Sequence, residues 1–468
     1  MLIRDTISSI MPQPPQALRR VQKEIYKTEH RAYGLAKSML SYKRFNRTMR
    51  VLGPGVVTGA ADDDPSGIAT YSQAGAIYGF GLLWAFPFMF PLLLAVQESC
   101  ARIGAVTGKG LAAVIRDAYG KRLLYPAVIL VVIANTINIG ADIGAMAATA
   151  QLLIPLPYAM LAICFATIIL LLELFVKYKT YTKILKWLAL ALLAYPITAI
   201  IVGQDWVALF KATLSPAMSW NSEYVLLLVG MLGTTISPYL FFWDTSEIVE
   251  DEIAHHRLAQ NATKEPRISK RFIKNVRIDN FVGMAIASIG AWFVVVTAAS
   301  VLHTNGVTEI ATAADAAKAI EPLVGSFSNA GFIAKVIFSV GIIGLGMLAV
   351  PVLAGSSSYA ISEAFGWKEG MHRKFKKATA FYVTIGLATI IGLLINLLGI
   401  DPIKALIFAA VFNAIAAIPL LIIIAKIGNN RQILGDYKNG WLANTFVRIA
   451  AAVMTFAGLV LLLQVILG

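Results

Sequence analysis

Eleven apolar runs, each about long enough to cross a bilayer core, occupy nearly all of this chain after residue 50. They lie roughly at 51–79, 82–104, 123–152, 157–176, 184–203, 223–249, 276–301, 331–363, 376–398, 402–426 and 443–467. The expected fold class is therefore all-α, a polytopic membrane protein of about eleven transmembrane helices. A water-soluble domain is excluded, because 58% of the 468 residues are hydrophobic, only 14% are charged and the mean hydropathy is +0.71.

Positive charge sets the expected orientation. With the N-terminal tail and every second loop placed in the cytoplasm, only Lys211, Lys318, Lys335 and Lys404 of the forty Lys and Arg fall elsewhere. The N-terminus is thus expected inside and the C-terminus outside, in a plasma (inner) membrane of bacterial type. The net charge of +14 follows from this topology and from attraction to anionic headgroups, so no nucleic-acid partner is called for. Residues 1–50 form a basic cytoplasmic segment without an apolar core of signal-peptide type, interrupted by Pro12, Pro14 and Pro15. Over 17–50 it reads equally as a helix on the inner leaflet or as a disordered tail. Cys100 and Cys164 both fall in expected spans, which excludes a disulfide framework and disfavours a thiolate metal site.

Two spans carry helix breakers. The first contains Asp62-Asp63-Asp64-Pro65-Ser66-Gly67, three carboxylates at membrane depth, and such ionisable groups are costly and mark function. The sixth contains Gly230, Gly233, Thr234, Thr235, Ser237 and Pro238. Interruptions five spans apart point to two five-helix inverted repeats, 51–203 and 223–426, with 443–468 as an additional helix and substrate bound where the breaks meet. The plainer alternative is two proline kinks in ordinary helices. Gly140 and Gly144, and Gly341, Gly344 and Gly346, are spaced for close helix packing.

The chemistry on offer is hard oxygen. An unwound segment frees backbone carbonyls, and Asp64, held out of helical dihedrals by Pro65, is the best direct ion ligand. Thr234 and Ser237 add hydroxyl or carbonyl oxygens from the second break, a set suited to Mg²⁺, Ca²⁺ or Mn²⁺. All five histidines (His30, His255, His256, His303, His372) fall in the tail or in loops, and Met231 lies about two turns from Ser237 on a helical count. Asp142 either lines the permeation path or pairs with Asn135 or Asn138. Asp244 and Glu247 share a helix face and are placed to guide a cation out, whereas Glu250, Asp251 and Glu252 read as an ordinary solvated helix end.

Gly53-Pro54-Gly55, the Asp64-Pro65 break, Gln73-Ala74-Gly75-Ala76, Leu83-Trp84 and the run Ala101 to Lys109 resemble the NRAMP divalent-metal transporters in order and spacing. The likeness is specific over 51–115 and collinear to about 426. It implies a LeuT-type fold and alternating access, hence a transporter and not an enzyme, with no cofactor and no obligate protein partner beyond lipid and the transported ion. The departures are informative. The family's Asp-Pro-Gly-Asn is here Asp64-Pro65-Ser66-Gly67, and its Met-Pro-His is Ser237-Pro238-Tyr239. A second family His falls at Asp244, the Asp of an acidic pair matches Asp142 while its Glu partner is Ala145, and the ninth span lacks an interior Arg. Asn413 matches a polar residue that closes over the ion. This combination is similar to the NRAMP-related magnesium transporter branch, which implies Mg²⁺ and Mn²⁺ transport without proton coupling. Losing a soft thioether removes preference for Mn²⁺ over hard cations. A pocket with small Gly67 and Ser237, and with Asp62 and Asp63 acting through water, suits a largely hydrated Mg²⁺.

Other readings remain open at this point. A proton-coupled Mn²⁺/Fe²⁺ carrier would relay protons through Asp142 and Asp244. A sodium-coupled amino-acid symporter would bring its substrate carboxylate against three Asp. An intramembrane aspartyl protease using Asp64 and Asp142 would lack its glycine-flanked signature; an ion channel fits the composition, but the paired broken helices favour alternating access.

Overall fold

In a computed structural model, residues 53–176, 190–219, 221–254, 268–396 and 398–467 are described. The first span is two half-helices, α1 (Pro54–Asp62) and α2 (Pro65–Tyr78), separated by Asp63 and Asp64. There follow α3 (Ala85–Thr107), the short α4 (Leu111–Tyr119), α5 (Lys121–Ala150), α6 (Tyr158–Phe175), α7 (Ala194–Val202) and α8 (Trp206–Leu214). The sixth span is again divided, into α9 (Ser222–Thr235) and α10 (Pro238–Ala254). The remainder comprises α11 (Lys270–Val301), α12 (Ala313–Lys318), α13 (Ala330–Phe365), α14 (Thr379–Asn396), α15 (Pro402–Asn429), α16 (Arg431–Leu434) and α17 (Trp441–Leu467). Among the described residues no strand is present, and nine helices, counting α9–α10 as one, are long and apolar enough to span a membrane. They coincide with nine of the eleven expected spans; the first is the α1–α2 pair, and the fifth lies partly outside the described residues. The 1–50 segment lies wholly outside them.

Local chemistry starts and stops these helices where the sequence changes character. Asn221, Ser269 and Asp401 each accept a backbone N–H of the first turn of α9, α11 and α15, supplying partners that a helix start lacks. Gly108 and Gly366, at φ of 62° and 72°, end α3 and α13 in the left-handed conformation that only glycine adopts without strain.

Backbone-to-backbone approach through glycine holds the broken helices in place. Gly55 and Gly59 of α1 abut Asn280 and Gly283 of α11, and Gly75 of α2 abuts the Val295 carbonyl farther along the same helix. Gly233 of α9 rests on Ala410 and Ala414 of α15. Gly140 of α5 meets Gly392 of α14, and Gly144 meets Tyr158 and Asn396, so the expected packing role of those two glycines holds. Both breaks are thereby enclosed by α5, α11, α13 and α15.

Candidate functional site

Asp64 is the N-cap of α2. One carboxylate oxygen, Oδ1, accepts the Ser66 hydroxyl at 2.6 Å and the Gly67 N–H at 2.8 Å, which fixes the carboxylate at the positive end of the half-helix. Its other oxygen, Oδ2, accepts the Asn138 side-chain amide of α5 at 2.9 Å. Asp62, Asp63 and Asp64 are 3%, 6% and 1% exposed, so the cluster is sealed from solvent. Asp62 keeps one buried oxygen without a partner, while Asp63 points toward α11, its Oδ2 lying 3.1 Å from where a Cβ on Gly290 would stand. The three adjacent carboxylates therefore diverge rather than forming one claw.

The second break faces the first. Thr234 Oγ1 is 3.5 Å from the Ser66 hydroxyl, and a Cβ added to Gly67 would come within 3.1 Å of it, so Thr234 closes directly over the start of α2. Ser237 turns back on its own helix and donates to the carbonyls of Gly233 at 2.8 Å and Thr234 at 2.7 Å. Those are carbonyls that the break would leave unpaired. The Tyr239 hydroxyl donates to the Ala61 carbonyl at 2.8 Å, tying α10 to α1, and the Tyr71 hydroxyl meets Thr235 Oγ1 at 2.8 Å, tying α2 to α9. Asp64, Gly67, Thr234, Ser237 and Tyr239 are thus brought together.

Asp142 is fully buried on α5 within electrostatic reach of Asp64, and neither of its oxygens has a hydrogen-bond partner. Of the two arrangements open from sequence, pairing with Asn135 or Asn138 does not occur: Asn135 binds the Leu353 carbonyl and Ser357 of α13, and Asn138 binds Asp64. Asn413 is likewise buried with both amide atoms unpartnered, on the α15 face that carries Ala410 and Ala414 against Gly233. Among the described residues no three His, Cys, Asp or Glu side chains form a grouping that could hold a metal. The neighbourhood instead offers one oriented carboxylate with hydroxyl, amide and carbonyl oxygens around it.

The far end of α10 departs from expectation. Asp244 is fully buried, accepting Thr58 at 3.4 Å and Asn280 at 3.3 Å, next to Asp279, which caps α1 through the N–H groups of Gly53 and Gly55 at 2.8 Å each. It lies at the inner seam of α1, α10 and α11. Glu247 is half-buried one turn on. The solvated helix end expected at Glu250 to Glu252 is not found. Glu252 is fully buried, and Glu250 accepts the Tyr359 hydroxyl at 2.8 Å and pairs with His372 at 2.7 Å. Glu250 is covered because α4 and the 366–378 loop fold over this end, lining with it a cavity of about 430 Å³ that includes Arg116, Glu363, Glu369 and His372. Glu363 is the junction: it accepts the Ala113 N–H at 3.1 Å and Ser246 at 3.0 Å, while its carbonyl accepts Arg116. Sequence reading missed Glu363, whose only signal was a carboxylate at the end of an apolar span, and gave Asn138 no role at Asp64.

The family model for natural resistance-associated macrophage protein-like (Nramp) proteins matches residues 55–464. The chain belongs to the Nramp family. Relatives include proteins named divalent metal cation transporter MntH: that of Granulibacter bethesdensis is 25% identical over 447 residues, covering 93% of this chain and 94% of its own. The Klebsiella pneumoniae (strain 342) protein is 28% identical over 424 residues, covering 88% and 93%. Among solved structures, the Eremococcus coleocola manganese transporter bound to an aromatic bis-isothiourea compound superposes with a TM-score of 0.68 at 15% identity, over 89% of this chain and 86% of that one. MhsT in complex with L-phenylalanine gives 0.56 at 11% identity, over 87% and 97%. This Nramp chain therefore has the LeuT-type fold that the sequence resemblance implied, and is a membrane transporter rather than an enzyme.

Proposed function

We propose that this Nramp-family protein is a divalent-cation transporter of the NRAMP-related magnesium branch, importing Mg²⁺, and Mn²⁺ with it, by alternating access without proton coupling. The observation that carries the reading is the meeting of the two breaks through hydroxyl oxygen: Ser66, which donates to Asp64, lies 3.5 Å from Thr234 Oγ1. Asp64 is the charged ligand; Gly67, Thr234, Ser237 and Tyr239 shape the pocket and leave carbonyl and hydroxyl oxygens beside it. Asp62 and Asp63 set the field and act on the ion through its water. Met231 is packed in the apolar core, so the described site lacks the soft sulfur that favours Mn²⁺ over hard cations. Mg²⁺ keeps several waters and needs few direct protein ligands, which fits one oriented carboxylate better than a dense cage.

The names of the MntH relatives and of the manganese transporter support divalent cations as the substrate class. Asp142, Asn413, Asp244 and Glu247 mark the path on either side of the site. In this reading 51–203 and 223–426 are the two inverted repeats, 443–468 is the added helix, and the N-terminus is cytoplasmic. Two charges crossing a 100 mV inside-negative potential gain about 4.6 kcal/mol, twice the roughly 2.3 kcal/mol for one. At roughly 1.4 kcal/mol per factor of ten, this sustains more than a thousandfold accumulation with no coupled ion.

Uptake into proteoliposomes loaded with Mg²⁺ and pH indicators, under a valinomycin-set potential, tests the reading. Mg²⁺ influx that follows potential at constant internal pH, and is lost in Asp64→Ala, is the expected result. Mn²⁺ influx with acidification and with Mg²⁺ excluded would overturn it, and would give Asp142, buried and unpartnered beside Asp64, the role of proton relay.

A further inference from the structure

Asp64 spends Oδ1 on its own half-helix, so only Oδ2 remains to meet an ion or its water, and that oxygen is held by Asn138 at 2.9 Å. Position 67 has no side-chain amide to offer: it is glycine, and even a Cβ there would crowd Thr234 Oγ1 at 3.1 Å. Asn138 is fully buried, and its amide oxygen has no hydrogen-bond partner. One helical turn away on the same face of α5, both Asp142 oxygens are also unpartnered, as is Asp62 Oδ1 across the break. Asn135, a further turn toward the start of α5, also has an unpartnered amide oxygen, but its N–H₂ is spent on the Leu353 carbonyl and Ser357 of α13 and not on Asp64. Buried amides are rarely left half-satisfied, because an unpaired carbonyl costs the desolvation of that group.

From this arrangement we infer that Asn138 is a specificity-determining residue of the transport site, whose amide N–H₂ orients the free oxygen of Asp64 while its carbonyl oxygen receives a divalent cation or a water in that cation's shell. The inference rests on the reading of Asp64 as the charged ligand. Mg²⁺ demands near-octahedral oxygen geometry, so it is more sensitive than Mn²⁺ to loss of the group that aims Asp64.

The test compares wild type, Asn138→Ala, Asn138→Ser and Asp64→Ala in proteoliposomes, measuring half-saturation, maximal rate and the Mg²⁺:Mn²⁺ preference. Removing a hydrogen bond to a charged group predicts a rise of about tenfold or more in half-saturation for Mg²⁺. The rise for Mn²⁺ should be smaller, with maximal rate largely kept, so the ion preference shifts toward Mn²⁺. A merely structural Asn138 would lower the maximal rate for both ions at unchanged half-saturation and preference, and that outcome overturns the inference. Asn138→Ser, which keeps a small polar group, gives the same readouts should Asn138→Ala fold poorly. Full uptake in Asp64→Ala would remove the underlying site reading; loss there with wild-type behaviour in both Asn138 variants would remove only the role of Asn138.

Discussion

The two breaks are built by opposite means. At the first, charge is concentrated: three carboxylates stand in succession, and Asp64 is locked by its own half-helix on one side and by α5 on the other. At the second there is no charge, and the Ser237 hydroxyl is turned onto the carbonyls of Gly233 and Thr234. The first break thus concentrates negative charge, while the second stabilises an interruption and places Thr234 over the start of α2. The difference teaches that repeated helix breakers in the two halves need not be chemically equivalent. One supplies the field and the other the wall.

The largest expected effect follows from removing the oriented charge. Asp64→Ala should abolish Mg²⁺ and Mn²⁺ uptake while the protein still assembles in the membrane, measured as transport per folded protein by size-exclusion chromatography and flux. Retained uptake would mean that Asp62 or Asp63 carries the ion, and the contrast between the breaks would shift by one residue. Next comes Gly233→Ala. Its added methyl would press into the Ala410 carbonyl, and rigid backbone on the far side leaves no flexible atom to yield. Overpacking of this kind costs about 1–3 kcal/mol. Yield and melting temperature should therefore fall, whereas Gly386→Ala, in open space on α14, should leave both unchanged.

Much of this was legible in the sequence because the physics is local. Proline after a carboxylate, a run of small and hydroxylated residues, and apolar stretches of bilayer length fix where helices break and how many there are. The coming together of Asp64, Gly67, Thr234, Ser237 and Tyr239 followed from placing the two breaks opposite each other. What was not legible depends on side-chain direction across helices. Asn138 and Asn135 are both polar residues in one apolar span, yet one faces Asp64 and the other α13. Spacing along a helix puts the two, three residues apart, on one face, but does not say which neighbour each will meet. Glu250 looked like part of a solvated helix end because the segments that cover it lie far away in sequence, in α4 and the 366–378 loop.

A smaller effect is expected at the second break. Ser237→Ala removes one hydroxyl proton shared between two neighbouring carbonyls but no charge and no oxygen directed at Asp64. A neutral hydrogen bond contributes about 1 kcal/mol net, so half-saturation for Mg²⁺ should move by roughly fivefold or less. The Mg²⁺:Mn²⁺ preference should stay unchanged, in contrast to Asn138→Ala. A change of preference in Ser237→Ala would show the hydroxyl to be an ion ligand and erase the division between field and wall.

The smallest effect on transport is expected beyond the second break, where α10 runs into the carboxylates of the 430 Å³ cavity and only the pH dependence of stability should change. Burial, reinforced by the charges of Glu363 and Glu250, pushes the Glu369 carboxyl up from 4.5 to about 10, against the opposing pull of Arg116 and Arg373. In the folded protein Glu369 is thus protonated at neutral pH, whereas in the unfolded chain it is ionised above about 4.5. Between those values the folded state holds more protons, so stability is fully present below 4.5 and is lost as pH rises toward 10. The slope from one such group is at most about 1.4 kcal/mol per pH unit, or about one degree of melting temperature in a chain of this size. Glu369→Gln, neutral at every pH, should flatten that slope without altering ion preference, as read from thermal unfolding between pH 6 and pH 9. An unchanged slope would place the proton on another group of the cavity, with Glu363 the first to substitute because it joins α4, α10 and α13 there.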